Sequence, residues 1–210
     1  MTTSCSSFHP HLGDLSTICF LSKADSGLTV TIDTPHLHMR SVTATEEDID
    51  RYADLFGNPE VMQKYATGQT KTREEIVERI SNSWAQRWHE SDPYSGFAVF
   101  KTGTHEFVGH VILDHGDAPG EAEAACLLMP SYWHNGYATE AVTALVKEYA
   151  PATVEEGYTL EGKKLEKIVA TARVDNVASC RILDKLGSLS GTEEKYGSLR
   201  NRYIIQLNRP

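Results

Sequence analysis

From Thr34 onward the chain switches repeatedly between a two-residue and a 3.6-residue hydrophobic period, and the switches mark its elements. Leu37, Met39 and Ser41 fall on one face of a strand over 37–42. Thr45-Glu-Glu-Asp48 is a capping box, and Ile49, Tyr52, Ala53 and Phe56 follow at helical spacing until Gly57-Asn58-Pro59 ends the helix. A second box, Thr72-Arg-Glu-Glu75, opens a helix with Ile76, Ile80, Trp84 and Trp88 on one stripe. Strands are predicted over 96–101 and 107–113, joined by a hairpin-like loop, and over 121–129, where Pro130 stops the run. Ala138, Ala141, Val142, Leu145 and Tyr149 describe the next helix, with 151–162 read as its exposed outgoing connection. A strand over 168–173 follows, then a helix capped by Asn176 and stopped by Gly187, then terminal strands. This order predicts an α/β fold with a mixed, mostly antiparallel sheet flanked by helices, not a regular doubly wound repeat. Residues 1–33 read as an extension in which Ile18–Leu21 and Leu28–Ile32 form an added hairpin, and 34–210 as the main domain.

The chain is organised around the turn Trp133-His134-Asn135-Gly136-Tyr137-Ala138, between the apolar run Ala124–Met129 and the helix after it. Its glycine lets main chain approach a ligand, and a helix start leaves about four N–H groups unpaired beside a partial positive charge, which suits a phosphate group. The chain has neither Gly-x-x-x-x-Gly-Lys-Ser/Thr nor Gly-x-Gly-x-x-Gly, so this is not a nucleotide P-loop or a dinucleotide fingerprint. A cradle of main chain alone suits a pyrophosphate that is held but not cleaved.

Trp133-His134-Asn135-Gly136-Tyr137-Ala138-Thr139-Glu140-Ala141 resembles the acyl-CoA signature of the GNAT superfamily of N-acetyltransferases, in particular its ribosomal-protein N-terminal-alanine branch. About forty residues on, Asn176-x-x-Ser179 followed by Leu183-x-Lys-Leu-Gly187 resembles the second half of the same coenzyme site. The resemblance covers residues 34 to the C-terminus. It implies a GNAT-like fold and acetyl-CoA held by Leu127, Leu128, Met129, His134, Asn135, Gly136, Tyr137, Ala138, Thr139, Asn176 and Ser179. It also implies that the first two helices border the acceptor groove, which makes Trp84 and Trp88 candidate acceptor-binding residues against the simpler reading of core packing.

Composition narrows the partners. A net charge of −9 argues against nucleic acid and is compatible with a cationic acceptor such as an amine. No apolar run approaches the roughly 18 residues of a membrane span, and the N-terminus lacks a basic leader, so a cytoplasmic protein without membrane contact is expected. Cys5, Cys19, Cys126 and Cys180 form no C-x-x-C pair and read as free thiols. Nine histidines lack partners at ligand spacing, so no metal is expected. Terminal strands can pair between chains, which leaves a homodimer open.

Acetyl transfer to an amine needs a neutral amine, a polarised thioester carbonyl and reactants held in line. Backbone N–H groups along Glu123–Leu128 are candidates for the carbonyl. Glu123 is the first choice as general base, with His110 and Asp114 behind it, and Ser179 is the candidate to assist the leaving thiolate. The chain departs from the family pattern where relatives carry a tyrosine acid, which is Leu183 here, and in Glu123-Ala-Ala-Cys126 and Gly187-Ser188. Cys126 as a covalent acyl carrier is a minor reading beside a small buried cysteine. The expected function is therefore transfer of acetyl from acetyl-CoA to a protein N-terminus or small amine. The alternative is a catalytically silent acyl-CoA-binding module.

Overall fold

The computed structural model describes residues 4–8 and 17–207; the side chain of Cys5 and residues 9–16 of the expected extension lie outside the described residues. Ten strands form one sheet in the order β1-β2-β3-β4-β5-β6-β7-β8-β10-β9. They are β1 (Ser4–Phe8), β2 (Ile18–Ala24), β3 (Gly27–Asp33), β4 (Leu37–Ser41), β5 (Gly96–Lys101), β6 (Phe107–His115), β7 (Glu121–Leu128), β8 (Lys167–Arg173), β9 (Ser188–Lys195) and β10 (Ser198–Gln206). Every neighbouring pair is antiparallel except β7 and β8. A parallel pair needs a crossover, and the helix after the central turn supplies it.

Helices α1 (Glu46–Gly57), α2 (Pro59–Met62) and α3 (Arg73–Arg79) cover one face of the sheet, while α4 (Ala85–His89) carries Trp88 round to the cluster on the other. Of the two expected capping boxes one is complete and the other is reduced to a simple N-cap, because the Asp48 carboxylate turns to Thr43 and Arg40. Thr45 accepts from the Asp48 N–H, and Thr72 and Glu75 exchange side-chain bonds as a complete box. A π-helical turn, Ile80–Trp84, joins α3 to α4. On this face Ile49, Tyr52, Phe56, Ile76, Ile80 and Trp84 pack against Ala98, Phe100, Ile112 and Leu127. The opposite face is covered by α5 (Tyr137–Ala144), a π turn (Leu145–Tyr149) and α6 (Ala150–Glu155), with Ala141, Leu145 and Tyr149 against Phe97, Val99 and Val111. Helix α7 (Val177–Leu186) packs Leu183 on Ala170, Ala172 and Tyr203.

The segment 151–162 departs from the exposed connection expected of it. Pro151 does not stop the helix: the N–H of Ala150 bonds to the Leu145 carbonyl, five residues back, and α6 continues to Glu155. A proline removes one intrahelical bond and its ring crowds the carbonyl four residues earlier, so a widened turn before it lets the helix go on. Ala152, Thr153 and Leu160 of this stretch are in the interior, while Glu155–Gly157 and Glu161–Gly162 are exposed as expected. Thr153 Oγ1 lies 3.2 Å from the Tyr94 hydroxyl.

Three contacts fix elements around the later site. The β2–β3 turn seats on the end of α4: a Cβ at Gly27, whose φ is +111°, would meet the Trp88 carbonyl oxygen at 2.5 Å. Glu140 in the first turn of α5 accepts from Thr34 Oγ1 at 2.6 Å and from the His36 N–H at 2.9 Å, tying that helix start to the β3–β4 turn. Arg40 grips Asp48 through both terminal nitrogens, at 2.8 and 2.6 Å, while Thr43 donates its N–H and hydroxyl to the same carboxylate.

Candidate active site

The site begins where the one parallel pair stops pairing. β7 and β8 are bonded only through Glu121↔Lys167, Ala122↔Ile168 and Glu123↔Val169, although both strands run on to Leu128 and Arg173. Toward β6 the bonds use odd-numbered residues, since Gly116 N–H bonds to Glu121 O and Met129 N–H to Val108 O. By the alternation of an antiparallel ladder, even-numbered residues of β7 turn their backbone groups the other way. Cys126 and Leu128 therefore point N–H groups into the opening between the strands. The Leu128 carbonyl accepts the Trp133 indole N–H at 2.8 Å, which braces the loop that follows. Of the three strand-end residues expected to hold the coenzyme, Leu128 turns its backbone to the opening. Leu127 buries its side chain on the α1–α3 face, and Met129 spends its N–H on β6.

At the carboxyl end of β7 the chain makes the turn into α5. His134 and Gly136 both adopt left-handed backbone, at φ +63° and +84°, with Asn135 Nδ2 bonded to the Trp133 carbonyl at 2.9 Å. A Cβ at Gly136 would meet no protein atom within 4 Å, so it is the positive φ that calls for glycine there. Helices α1, α2, α3 and α7 each have a side-chain cap on their N-terminal N–H groups; α5 has none among the described residues. The N–H groups of Tyr137, Ala138 and Thr139 are thereby left without intrahelical or capping partners. His134, Asn135 and Gly136 are exposed, and Tyr137, Ala138 and Thr139 half-buried. The turn thus has what an anion cradle requires: main-chain donors, a helix N-terminus and access.

The second helix start lies at the end of β8. Asn176 caps α7 by accepting from the Ser179 N–H at 3.3 Å, and Ser179 is half-buried on its first turn. Lys64 Nζ reaches the Asp175 carbonyl at 2.8 Å and Arg173 the Gln63 carbonyl at 3.4 Å, so the α2–α3 loop is tied to the β8–α7 loop. Leu183, at the position where relatives carry a tyrosine, is 7% exposed and packs in the core beneath α7, where it can serve no proton transfer.

Glu123 is the last β7 residue paired with β8, on the strand edge where the opening starts. Its side chain is half-buried, and Lys195 Nζ sits 3.3 and 3.2 Å from its two oxygens. Burial works against the Lys195 charge, but Glu123 outweighs it and holds the ammonium above the ordinary lysine range. The runners-up are placed less well. Asp114 is paired with Arg87. His110 is wholly buried, and desolvation, helped by the Arg79 charge, drops it to about 3, so it is neutral and sealed from an incoming amine. Its Nδ1 lies 2.9 Å from the Tyr52 hydroxyl, and its ring stacks on Trp84.

The two tryptophans named as acceptor-binding candidates are core residues. Trp84 is fully buried, and Trp88, 4% exposed, donates its indole N–H to the Gly96 carbonyl at 3.0 Å. Past the π turn the two rings part, Trp84 stacking on His110 and Trp88 packing on Phe97 in the cluster of the opposite face, and neither ring presents a surface to a ligand. Cys126 is likewise disfavoured as an acyl carrier, because burial pushes its thiol up to about 12 and leaves almost no thiolate near neutrality.

Residues not singled out in the sequence gather near Glu123. Tyr65, from the α2–α3 loop, packs edge-on to Phe56, and burial raises its phenol to about 12, near enough to Glu123 to feel its charge. Lys195 and Tyr196 come from the β9–β10 hairpin, and Arg200 from β10. The sequence showed only terminal strands here, and nothing in them indicated that their turn folds back beside a residue 72 positions away. Among the described residues, no group of three or more His, Cys, Asp or Glu is arranged to hold a metal, and no helix is long and apolar enough to cross a membrane.

Known proteins resemble this chain in sequence and in fold. The profile of the acetyltransferase (GNAT) domain family matches residues 36–188, more than half of the chain. An uncharacterised N-acetyltransferase of Bacillus subtilis, YoaA, is 26% identical over 181 residues, covering 85% of this chain and 90% of its own. The ribosomal-protein-S5-alanine acetyltransferase of Vibrio fischeri superposes with a TM-score of 0.65 at 16% identity, over 86% of this chain and 99% of its own. The spermidine N-acetyltransferase of Vibrio cholerae, solved with CoA and spermine, gives a TM-score of 0.62 at 18% identity, over 81% and 95% of the two chains.

Proposed function

The chain belongs to the GNAT family of acetyltransferases and uses acetyl-CoA as its co-substrate, and from that premise we propose that it acetylates a primary amine by direct attack within a ternary complex. The observation that carries this reading is the junction of two features: the uncapped, left-handed start of α5 and the parting of β7 from β8. The α5 turn would take the pyrophosphate on the N–H groups of residues 137–139, with His134 and Asn135 flanking it. The pantetheine arm would run between the strands toward Asn176 and Ser179, with the N–H groups of Cys126 and Leu128 available to the thioester carbonyl. There they would bear on the oxygen where charge develops, the position from which donors accelerate acyl transfer most.

Glu123, at the base of the opening, would receive the proton of the attacking amine directly or through one water. An amine has a free pKa between about 8 and 10.4 and must lose that proton before it can attack. Lys195 would hold the carboxylate in place. Ser179, on the first turn of α7, is the group offered to the departing thiolate. The whole activity is proposed for the cytoplasm.

Thiol release from acetyl-CoA tests the reading across a panel of N-terminal peptides, polyamines, aminoglycosides and free amino acids. Turnover of one class is the expected result. Measured CoA binding with silence across the panel would favour the acyl-CoA-binding module. The cradle is tested separately by calorimetry. Gly136→Val forces a left-handed β-branched residue at a cost of about 1–2 kcal/mol, so CoA affinity should fall about tenfold or more. An unchanged Kd in a folded Gly136→Val protein would remove the turn from the coenzyme site.

A further inference from the structure

The sheet face that carries Glu123 also carries a buried arginine whose donors the fold satisfies only in part. Arg200 on β10 is 5% exposed. Its Nε donates to Thr171 Oγ1 at 2.9 Å and its Nη2 to the Thr171 carbonyl at 3.1 Å. Its Nη1 is buried with no hydrogen-bond partner among the described residues. A guanidinium keeps its charge and presents its N–H groups in a fixed plane, so an unpaired edge calls for an oxygen acceptor, and best for an anionic one.

The surroundings place that edge at the acceptor end of the site. Burial works against the Arg200 charge, and Glu123 lies near enough for its carboxylate to support it, while the Arg173 guanidinium opposes it. Tyr196 lies with its ring 5.6 Å from the guanidinium carbon, at the tip of the β9–β10 hairpin, in left-handed backbone and 45% exposed. A half-exposed ring at a hairpin tip is a cover that can turn aside without disturbing the sheet. Lys195, the neighbour of Tyr196, adds a second positive charge. Two cations here repel a polyamine. A carboxylate instead meets one guanidinium edge and one ammonium.

Resting on the acetyltransferase reading above, we propose that Arg200 anchors a carboxylate of the acceptor, so that the acetylated amine belongs to a small molecule of amino-acid type. In this arrangement the amine faces Glu123 and the fork between β7 and β8, while Nη1 of Arg200 and, beside it, Lys195 take the carboxylate under the displaced Tyr196 ring. Arg200 is a specificity residue in this scheme and takes no part in the proton transfer.

The test compares kcat/KM for free amino acids with that for their α-amides and for the corresponding amines lacking the carboxyl group. Wild type should favour the acids about 100-fold, chiefly through KM. Arg200→Met should lower kcat/KM for acids about 100-fold more than for amides, with the KM for acetyl-CoA unmoved. If Arg200→Met does not fold, Arg200→Lys carries the same comparison, since it keeps the charge and loses the planar edge. Equal turnover of acids and amides by wild type, or an equal loss on both in the variant, overturns the anchor. Should no amine in the panel react, the function reading fails and the anchor is decided by binding. Calorimetry with N-acetyl amino acids in the presence of CoA should then show binding that Arg200→Met abolishes, and absence of binding to wild type refutes it.

Discussion

Replacing Glu123 by Gln should lower kcat by about 10²–10⁴ while leaving the KM for acetyl-CoA unchanged, the range expected when a positioned general base is lost. Gln keeps the shape and hydrogen-bonding reach of the side chain but cannot take the proton of an incoming ammonium. Because Glu123 is bound to Lys195 at 3.2 Å, a loss could also arise from a broken ion pair and a displaced hairpin. Lys195→Met separates the two: it breaks the same pair and keeps the carboxylate. A base at Glu123 predicts that Lys195→Met keeps most of the kcat lost in Glu123→Gln, its effect falling instead on the KM of the acceptor. Equal losses in the two variants would reduce Glu123 to a tether for the β9–β10 hairpin, and an active Glu123→Gln would take the proton transfer elsewhere.

Replacing Asp48 by Ala should lower folding stability by about 3–5 kcal/mol, the cost of leaving a part-buried charge partner without its counter-ion. The carboxylate is fully buried and receives Arg40, Arg51 and both donors of Thr43. Burial opposes its charge, but the Arg40 and Thr43 bonds outweigh that cost and hold Asp48 below the usual carboxylate range. The sign of the pH dependence follows. A depressed folded pKa gives stability that is complete above the unfolded value of about 3.9 and is lost as pH falls through the folded one. Urea unfolding of wild type and Asp48→Asn should therefore show a gap that is constant near neutrality and closes in acid. A gap that persists unchanged at low pH would mean that the network is held by shape and neutral hydrogen bonds.

The two proposed sites differ in how much of them lay in the letters. The turn at 133–138 was legible because its requirements are local: an Asn-Gly turn, a strand that stops at Pro130 and a helical stripe fix where main-chain donors lie, whatever the rest of the chain does. The caps at Thr45, Thr72 and Asn176 were legible for the same reason, since each bond spans three residues. The mixed sheet followed from element order and the crossover rule. Pro151 misled because its local preference ends helices, whereas burial of Ala152, Thr153 and Leu160 favours carrying the helix past it through a π turn. The tryptophan stripe misled differently, since periodicity places Trp84 and Trp88 on one face, whereas past the π turn their rings part.

What the sequence by itself determined is the proposed coenzyme end of the molecule, a turn made of backbone whose conformation is set by neighbours in the chain. What only the tertiary structure decided is the cluster proposed for the acceptor end. Glu123, Lys195, Tyr65 and Arg200 come from four separate segments, and Lys195 is 72 positions from the carboxylate it holds. Side chains brought together by sheet register leave no mark at any fixed spacing, because the contact depends on which strands lie side by side and on which face each residue falls.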